Sequence, residues 1–227
     1  MTLQYPLVNA WGFGYGNHNR TVAPNIDTIM PFIGYRKITL KKHKLIKEND
    51  KIRLDASAIA KGQASDEIAK LLEGLGSRHY LVEIGGEIRC RGVNAKGEKW
   101  HIGIDKPIDD PANEYKELET VIAISNVGLA TSGNYRQFYF KNGKKYTHTI
   151  DPNTGTPVEH NLLSASVVAP TCMQADAYAT AFMVLGVDES IKICESLPDM
   201  ECYLIFADKE GKHKIAKTKG FDKYLVK

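Results

Sequence analysis

Between Tyr80 and Val168 the chain breaks into short runs of alternating apolar and polar residues, with glycine, asparagine and proline clustered between them. Alternation sends every second side chain to the same side, so each run reads as a strand with one face on a core. The spacing predicts strands over residues 80–84, 87–91, 100–104, 120–125, 135–140, 145–150 and 164–168. Asn142-Gly143, between two of these runs, is a strong hairpin signal, because both residues tolerate the positive φ of a tight turn. Asp151-Pro152-Asn153-Thr154-Gly155 reads as a further turn, with proline fixing φ and glycine free to make it positive.

Helical period appears beside these strands. Residues 57–75 place Ile59, Ile68, Leu71, Leu72 and Leu75 roughly on one stripe, and Gly76 ends the run. An apolar, alanine-rich helix follows Pro170-Thr171 and runs from Cys172 towards Gly186. Residues 191–197 read as a short helix, 201–207 as a strand and 208–211 as a turn. Nearer the N-terminus, residues 24–34 could hold a short helix capped by Asn25. Residues 35–45 and 51–54 alternate well enough for two strands, with Glu48-Asn49-Asp50 turning between them. The glycine- and aromatic-rich opening over residues 9–16 suits a strand edge or a close-packed loop. The expected fold class is α+β: a largely antiparallel sheet with packed helices, one compact unit over residues 1–227.

Composition narrows the function classes. With 227 residues, 43% hydrophobic and 25% charged, the chain has material for a real core. A net charge of +3 and a pI near 8.5 give no electrostatic footprint for nucleic acid. The basic clusters Lys41-Lys42-His43-Lys44 and Lys212-His213-Lys214 suit solvated strand edges or loops. Cys90, Cys172, Cys194 and Cys202 show neither a C-x-x-C pair nor zinc spacing, so buried free thiols are expected. No apolar run is long enough to span a bilayer. The first residues have no basic and then apolar pattern of a signal peptide.

Several segments could carry chemistry. Asp176 and Thr180 stand at i and i+4 on the alanine-rich helix, so their side chains share a face. A carboxylate beside a hydroxyl is half of a hard-cation site of the kind Mg²⁺ completes with water and phosphate. The ordinary alternative puts Asp176 on a solvated edge, with Thr180 bonded back to a helix carbonyl. Asp55-Ala56-Ser57-Ala58-Ile59-Ala60-Lys61-Gly62 brings an acid, a lysine and helix N-terminal amides together, which suits an anion; a plain cap by Asp55 or Ser57 explains it too. Glu83-Ile84-Gly85-Gly86-Glu87 is either a hairpin turn or a place where a ligand lies on bare backbone. Residues 130–136 are a polar pocket wall or a capped turn. His148, opposite in face to Thr147 and Thr149 if the run is a strand, is a candidate general base or stacking platform.

Taken in order, these segments resemble the ApbE-type FAD:protein FMN transferases. The resemblance is carried by Asp55-Ala-Ser-Ala-Ile-Ala-Lys-Gly62, Val82-Glu-Ile-Gly-Gly-Glu-Ile-Arg89, Ala130-Thr-Ser-Gly-Asn-Tyr-Arg136, His148-Thr-Ile-Asp-Pro-Asn-Thr-Gly155 and Ala169-Pro-Thr-Cys-Met-Gln-Ala-Asp-Ala-Tyr-Ala-Thr180. Pro6-Leu-Val-Asn-Ala-Trp-Gly-Phe-Gly14 also looks like that family. The resemblance implies a Mg²⁺-dependent enzyme that moves the FMN part of FAD onto a threonine of an acceptor flavoprotein and releases AMP. It implies Asp176, Thr180 and the Ala58 carbonyl as metal ligands, and Asp55, Lys61 and Ile150 as FAD contacts. It places His148 near the flavin and phosphates, with Asp176 as the second catalytic group. The alternatives on the same scaffold are an FAD-binding protein and an FAD pyrophosphatase. Family members usually carry a further N-terminal segment, often after a lipoprotein signal, so the expectation is an N-terminally shortened member of an exported, membrane-anchored group.

Overall fold

The computed structural model describes residues 5–14, 23–108, 117–134 and 138–226. In chain order its elements begin with α1 (Tyr5–Ala10), β1 (Ile38–Lys41), β2 (Lys44–Lys47), α2 (Ala60–Gly74), β3 (Tyr80–Ile84) and β4 (Glu87–Arg91). They continue with β5 (Trp100–Asp105), β6 (Leu118–Ile124), β7 (Gly128–Gly133), β8 (Phe138–Lys141) and β9 (Lys144–Thr147). The last are β10 (Leu162–Ala169), α3 (Cys172–Leu185), α4 (Val187–Glu195), β11 (Glu201–Ala207) and β12 (His213–Lys217). Two compact units result, residues 1–58 with 137–159 and residues 59–136 with 160–227.

In the first unit Leu7, Trp11, Ile33 and Ile150 form a buried cluster. The expected strand edge or loop over residues 9–16 is instead the end of α1 and the turn after it, in which the Trp11 amide donates to the Leu7 carbonyl (2.9 Å). Residues 15 and 16 lie outside the described residues. Rings continue from this core: Trp11 stacks on Tyr146 (5.7 Å), Tyr146 on Tyr139 (5.3 Å), and Tyr139 meets Phe13. The short helix expected over 24–34 is two 3-10 turns, Ile26–Thr28 and Met30–Phe32, and Asn25 makes no side-chain cap bond. Pro31 lacks the N–H that a continuing α-helix would use.

The expected strand over 35–45 is broken, because the chain reverses at Lys42 (φ 47°) and His43 (φ 61°) to pair β1 with β2. Neither is glycine or asparagine, and Lys42 in particular does not favour a positive φ, so composition gives little turn signal there. Residues 51–54 form no named strand, although Ile52 is buried. The hairpin at Asn142-Gly143 is present and joins β8 to β9. Of the strand expected over 135–140, residues 135–137 lie outside the described residues.

The second unit is built on an antiparallel six-stranded sheet in the order β12-β11-β10-β7-β4-β3. Alternation sorts its side chains into two cores. Ala130, Ala165, Val167, Cys202 and Leu204 pack with Phe182 and Met183 of α3 and Cys194 of α4. Leu129, Val168, Tyr203 and Ile205 pack on the other face with Ile104 of β5, Ile122 and Ile124 of β6, and Phe221. Helices therefore cover one face and a separate β5–β6 ribbon contributes to the other, which makes the α+β, antiparallel reading correct.

Three expectations change here. β7, in the middle of the sheet, carries the sequence Gly-Leu-Ala-Thr-Ser-Gly, whose small polar half looks like a loop. The helix expected over 57–75 starts at Ala60, and Ile68, Leu71 and Leu75 of its apolar stripe point outward at 43%, 59% and 76% exposure. Its buried positions are Gly62, Ser65, Asp66 and Ala69. The C-terminal helix also shifts, to Val187–Glu195 rather than 191–197.

Candidate functional site

The site in the second unit begins with how α3 is anchored. Thr171 caps the helix, its hydroxyl accepting from the Gln174 amide (3.2 Å). Asp66, on α2, places both carboxylate oxygens at the same helix start, accepting from the Cys172 amide (3.0 Å) and the Met173 amide (2.9 Å). Two glycines let this turn approach closely. A Cβ on Gly128 would lie 2.3 Å from the Cys172 nitrogen, and one on Gly62 would lie 2.5 Å from the Cys172 carbonyl oxygen.

That crossing brings the Gly62 amide to Asp176, where it donates to Oδ2 (3.0 Å). In an uninterrupted helix the same N–H would serve the carbonyl four residues earlier, which is that of Ala58. Asp176 is buried at 2% exposure, so it is not the solvated edge of the ordinary alternative. Burial raises its pKa, against the Gly62 hydrogen bond and the Lys61 charge, which lower it. One turn on, the Thr180 hydroxyl lies 3.3 Å from the Ser132 hydroxyl of β7 rather than against a helix carbonyl.

Lys61 and Glu87 complete the group. Gly85 (φ 62°) and Gly86 (φ 100°) form the two-residue turn between β3 and β4, so the glycine pair is a hairpin, and it delivers Glu87 as the first residue of β4. The Lys61 ammonium sits 2.6 Å from Glu87 Oε1; the lysine is half exposed and Glu87 buried. The Ser65 hydroxyl, also on α2, donates to the Glu87 carbonyl (3.0 Å). Glu87 Oε2 is buried without a hydrogen-bond partner among the described residues. Burial raises the Glu87 pKa and the charge of Asp176 adds to the rise, while Lys61 lowers it. A buried carboxylate oxygen left unpaired is costly unless a ligand completes it.

Asp176, Thr180 and Lys61 thus lie within one unit. Asp55, Ala58, His148 and Ile150 belong to the first unit. Asp55 accepts from the Ser57 amide (2.7 Å) and hydroxyl, holding a turn ahead of α2, whose cap position is Ile59 without a side-chain cap. Ile150 is buried and bridges to Pro157. His148 lies just beyond β9, not within a strand, with its ring edge towards Phe13 (6.4 Å). Tyr135 and Arg136 lie outside the described residues.

Among the described residues no group of three or more His, Cys, Asp and Glu side chains forms a metal cluster. A soft or zinc-type site is therefore absent from them, whereas a carboxylate with a hydroxyl and carbonyls suits a hard cation. All four cysteines are buried free thiols, as expected, and burial pushes Cys172 up to about 12. No described helix is long and apolar enough to cross a membrane. The sequence marks Glu87 only as part of a weak glycine motif, Ser132 only as a candidate pocket wall, and the Gly62 amide only among helix N-terminal amides, with no sign that any of them meets α3 or Lys61. An acid directly after a paired-glycine turn was the available signal.

A model of the ApbE family matches residues 3–204. The chain is 39% identical over 212 residues to an FAD:protein FMN transferase of Haemophilus influenzae, covering 91% of this chain and 60% of that protein. To the protein of the same name from Escherichia coli K12 it is 38% identical over 194 residues, covering 83% of this chain and 54% of the relative. Flavin transferase ApbE from Vibrio cholerae superposes with a TM-score of 0.85 at 33% identity, over 99% of this chain and 70% of that one. Pseudomonas stutzeri flavinyl transferase ApbE, in its apo form, superposes with a TM-score of 0.83 at 30% identity, over 97% and 67%. The chain spans at most about 60% of the length of these two curated relatives.

Proposed function

The chain belongs to the ApbE family, and from that premise we propose that residues 1–227 act as one flavin-transferase domain. It moves the FMN part of FAD to a threonine hydroxyl of an acceptor flavoprotein and releases AMP. The observation that carries this reading is the buried Asp176 carboxylate, held at Oδ2 by the Gly62 amide, a turn from the Thr180 hydroxyl. These residues fit Mg²⁺, which favours oxygen ligands and retains several waters. Asp176, Thr180 and the Ala58 carbonyl would hold it, and bound there it would supply charge neutralisation for the pyrophosphate.

The chain's own groups do the rest. Lys61 contributes a point charge to the phosphates, and Asp55 and Ile150 contact FAD. His148 accepts the proton of the incoming threonine hydroxyl. Alignment and charge stabilisation are what phosphoryl transfer asks of a protein, so no protein nucleophile is needed. Membrane anchoring on the exported side, as a lipoprotein, is the localisation that goes with this reading.

The test is incubation with FAD, Mg²⁺ and a threonine-bearing acceptor peptide, followed by AMP assay and mass spectrometry of the peptide. AMP with a flavin adduct supports transfer. AMP without an adduct moves the assignment to FAD pyrophosphatase, and neither product removes both. Full metal-dependent FAD cleavage by Asp176→Ala would refute the metal assignment.

A further inference from the structure

The charge count around Asp176 does not favour an anion. Among the described residues two carboxylates, Asp176 and Glu87, face one ammonium, Lys61, a net charge of −1 with both acids ionised. Glu87 holds Lys61 at 2.6 Å from a buried position, so the cationic side chain that the described residues bring to the group is already neutralised by a neighbour. The second Glu87 oxygen is buried and unpaired, and leaves that carboxylate without further compensation. Gly85 keeps the arrangement open: a Cβ there would lie 3.2 Å from Lys61 Cδ and 3.7 Å from Glu87 Oε2. A doubly anionic pyrophosphate meets a negative group with an occupied lysine, and like charges repel most where water is excluded.

Resting on the flavin-transferase reading, we propose that Glu87 is a positioning residue that sequesters Lys61, so that the pyrophosphate of the substrate engages only after a divalent cation is bound at Asp176. A divalent ion changes the net charge of the group from −1 to +1. The sign of the field then favours the pyrophosphate, and Lys61 can share its ammonium between Glu87 and a phosphate oxygen, since it has three donors. Substrate binding becomes ordered, cation first. The pairing also lays the half-exposed lysine stem along the turn at Gly85.

Equilibrium binding of FAD, read by flavin fluorescence with Mg²⁺ and with EDTA, tests this without any turnover. Wild type binds FAD at least about tenfold more weakly in EDTA, roughly 1.4 kcal/mol. Glu87→Gln, which keeps shape but frees Lys61, binds FAD in EDTA about tenfold more tightly than wild type. That gain disappears in the Glu87→Gln/Lys61→Met double variant. Lys61→Met alone weakens binding in Mg²⁺ more than in EDTA. A Glu87→Gln protein with no gain in EDTA, a gain that survives the double variant, or an equal loss for Lys61→Met in both buffers overturns the proposal. Should Glu87→Gln fail to fold, the Lys61→Met comparison decides alone. Inorganic pyrophosphate, read by the shift in Tm, separates the two levels of the argument. If pyrophosphate follows this pattern while FAD does not bind, the flavin reading fails and the charge arrangement stands. If wild type binds pyrophosphate equally in both buffers, the ordered binding fails whatever FAD does.

Discussion

Helices α2 and α3 cross in the same unit and bury opposite kinds of surface. The buried positions of α3 are Cys172, Ala175, Ala179, Phe182 and Met183, with Asp176 as the exception among them. Those of α2 are Gly62, Ser65, Asp66 and Ala69, while Ile68 and Leu71 face outward and Leu72 is partly buried against Ala69, Tyr80 and Val82. α3 is held by volume and area, in the manner of a helix that is apolar on most sides. α2 is held by specific bonds, with Asp66 on two amides of α3, Ser65 on the Glu87 carbonyl and the Gly62 amide on Asp176. The lesson is that periodicity locates apolar residues; it does not say which face is covered. Where a helix must bring polar groups to a buried partner, small and hydrogen-bonding residues take the inner face.

The largest test of this contrast is Phe182→Ala, expected to lower the unfolding free energy by about 3–5 kcal/mol in urea titrations, as a truncated core aromatic does. Asp66→Ala should cost about 3 kcal/mol, because it leaves the Cys172 and Met173 amides buried without an acceptor. A loss under about 1 kcal/mol would mean that water replaces the carboxylate, and α2 would need another anchor. Gly62→Ala should cost about 1–3 kcal/mol, since its Cβ meets backbone rather than a movable side chain. The same variant should weaken Mg²⁺ binding measured by calorimetry, because the amide is pushed off Asp176.

A smaller effect is expected with pH. Burial raises the pKa of both Asp176 and Glu87, so the folded state binds these protons more tightly than the unfolded state. Metal-free stability should therefore fall as pH rises from the ordinary carboxylate range through the raised values, and level off above them. Asp176→Asn keeps an oxygen for the Gly62 amide and should flatten part of that slope in urea midpoints taken across mildly acidic to neutral pH. An unchanged slope would show that Asp176 is compensated within the protein. The smallest expected change is Leu71→Gln on the outer face of α2, within about 0.5 kcal/mol of wild type. A cost approaching that of Phe182→Ala would show the stripe covered in solution and would break the contrast.

The legible parts of the fold were those where local chemistry and final structure agree. Asn142-Gly143 marked a hairpin because a tight turn needs positive φ, and Thr171 marked the start of α3 because a hydroxyl satisfies an orphan amide. The hairpin at Lys42-His43 was invisible because positive φ is adopted there without a glycine or asparagine to mark it. β7 was invisible for a different reason. Its Thr131 and Ser132 look solvated in isolation, yet they bond to Ser166 on the neighbouring strand β10 (2.7 Å) and to Thr180 of the covering helix α3 (3.3 Å). Asp176 with Thr180 was readable from i, i+4 spacing alone, whereas Glu87 was not, since its partner Lys61 lies on another element.

The sequence by itself determined the alternation that makes an antiparallel sheet, the helix that bears an acid and a hydroxyl on one face, and the ordered motifs that mark the family. These depend on neighbours within a turn or two, whose geometry the backbone fixes. Only the tertiary structure decided which face of α2 is inside, that Glu87 holds Lys61, and that the Gly62 amide holds Asp176. Those outcomes depend on close approach between segments far apart in the chain, and a missing Cβ at Gly62 and Gly128 permits that approach without announcing its partner.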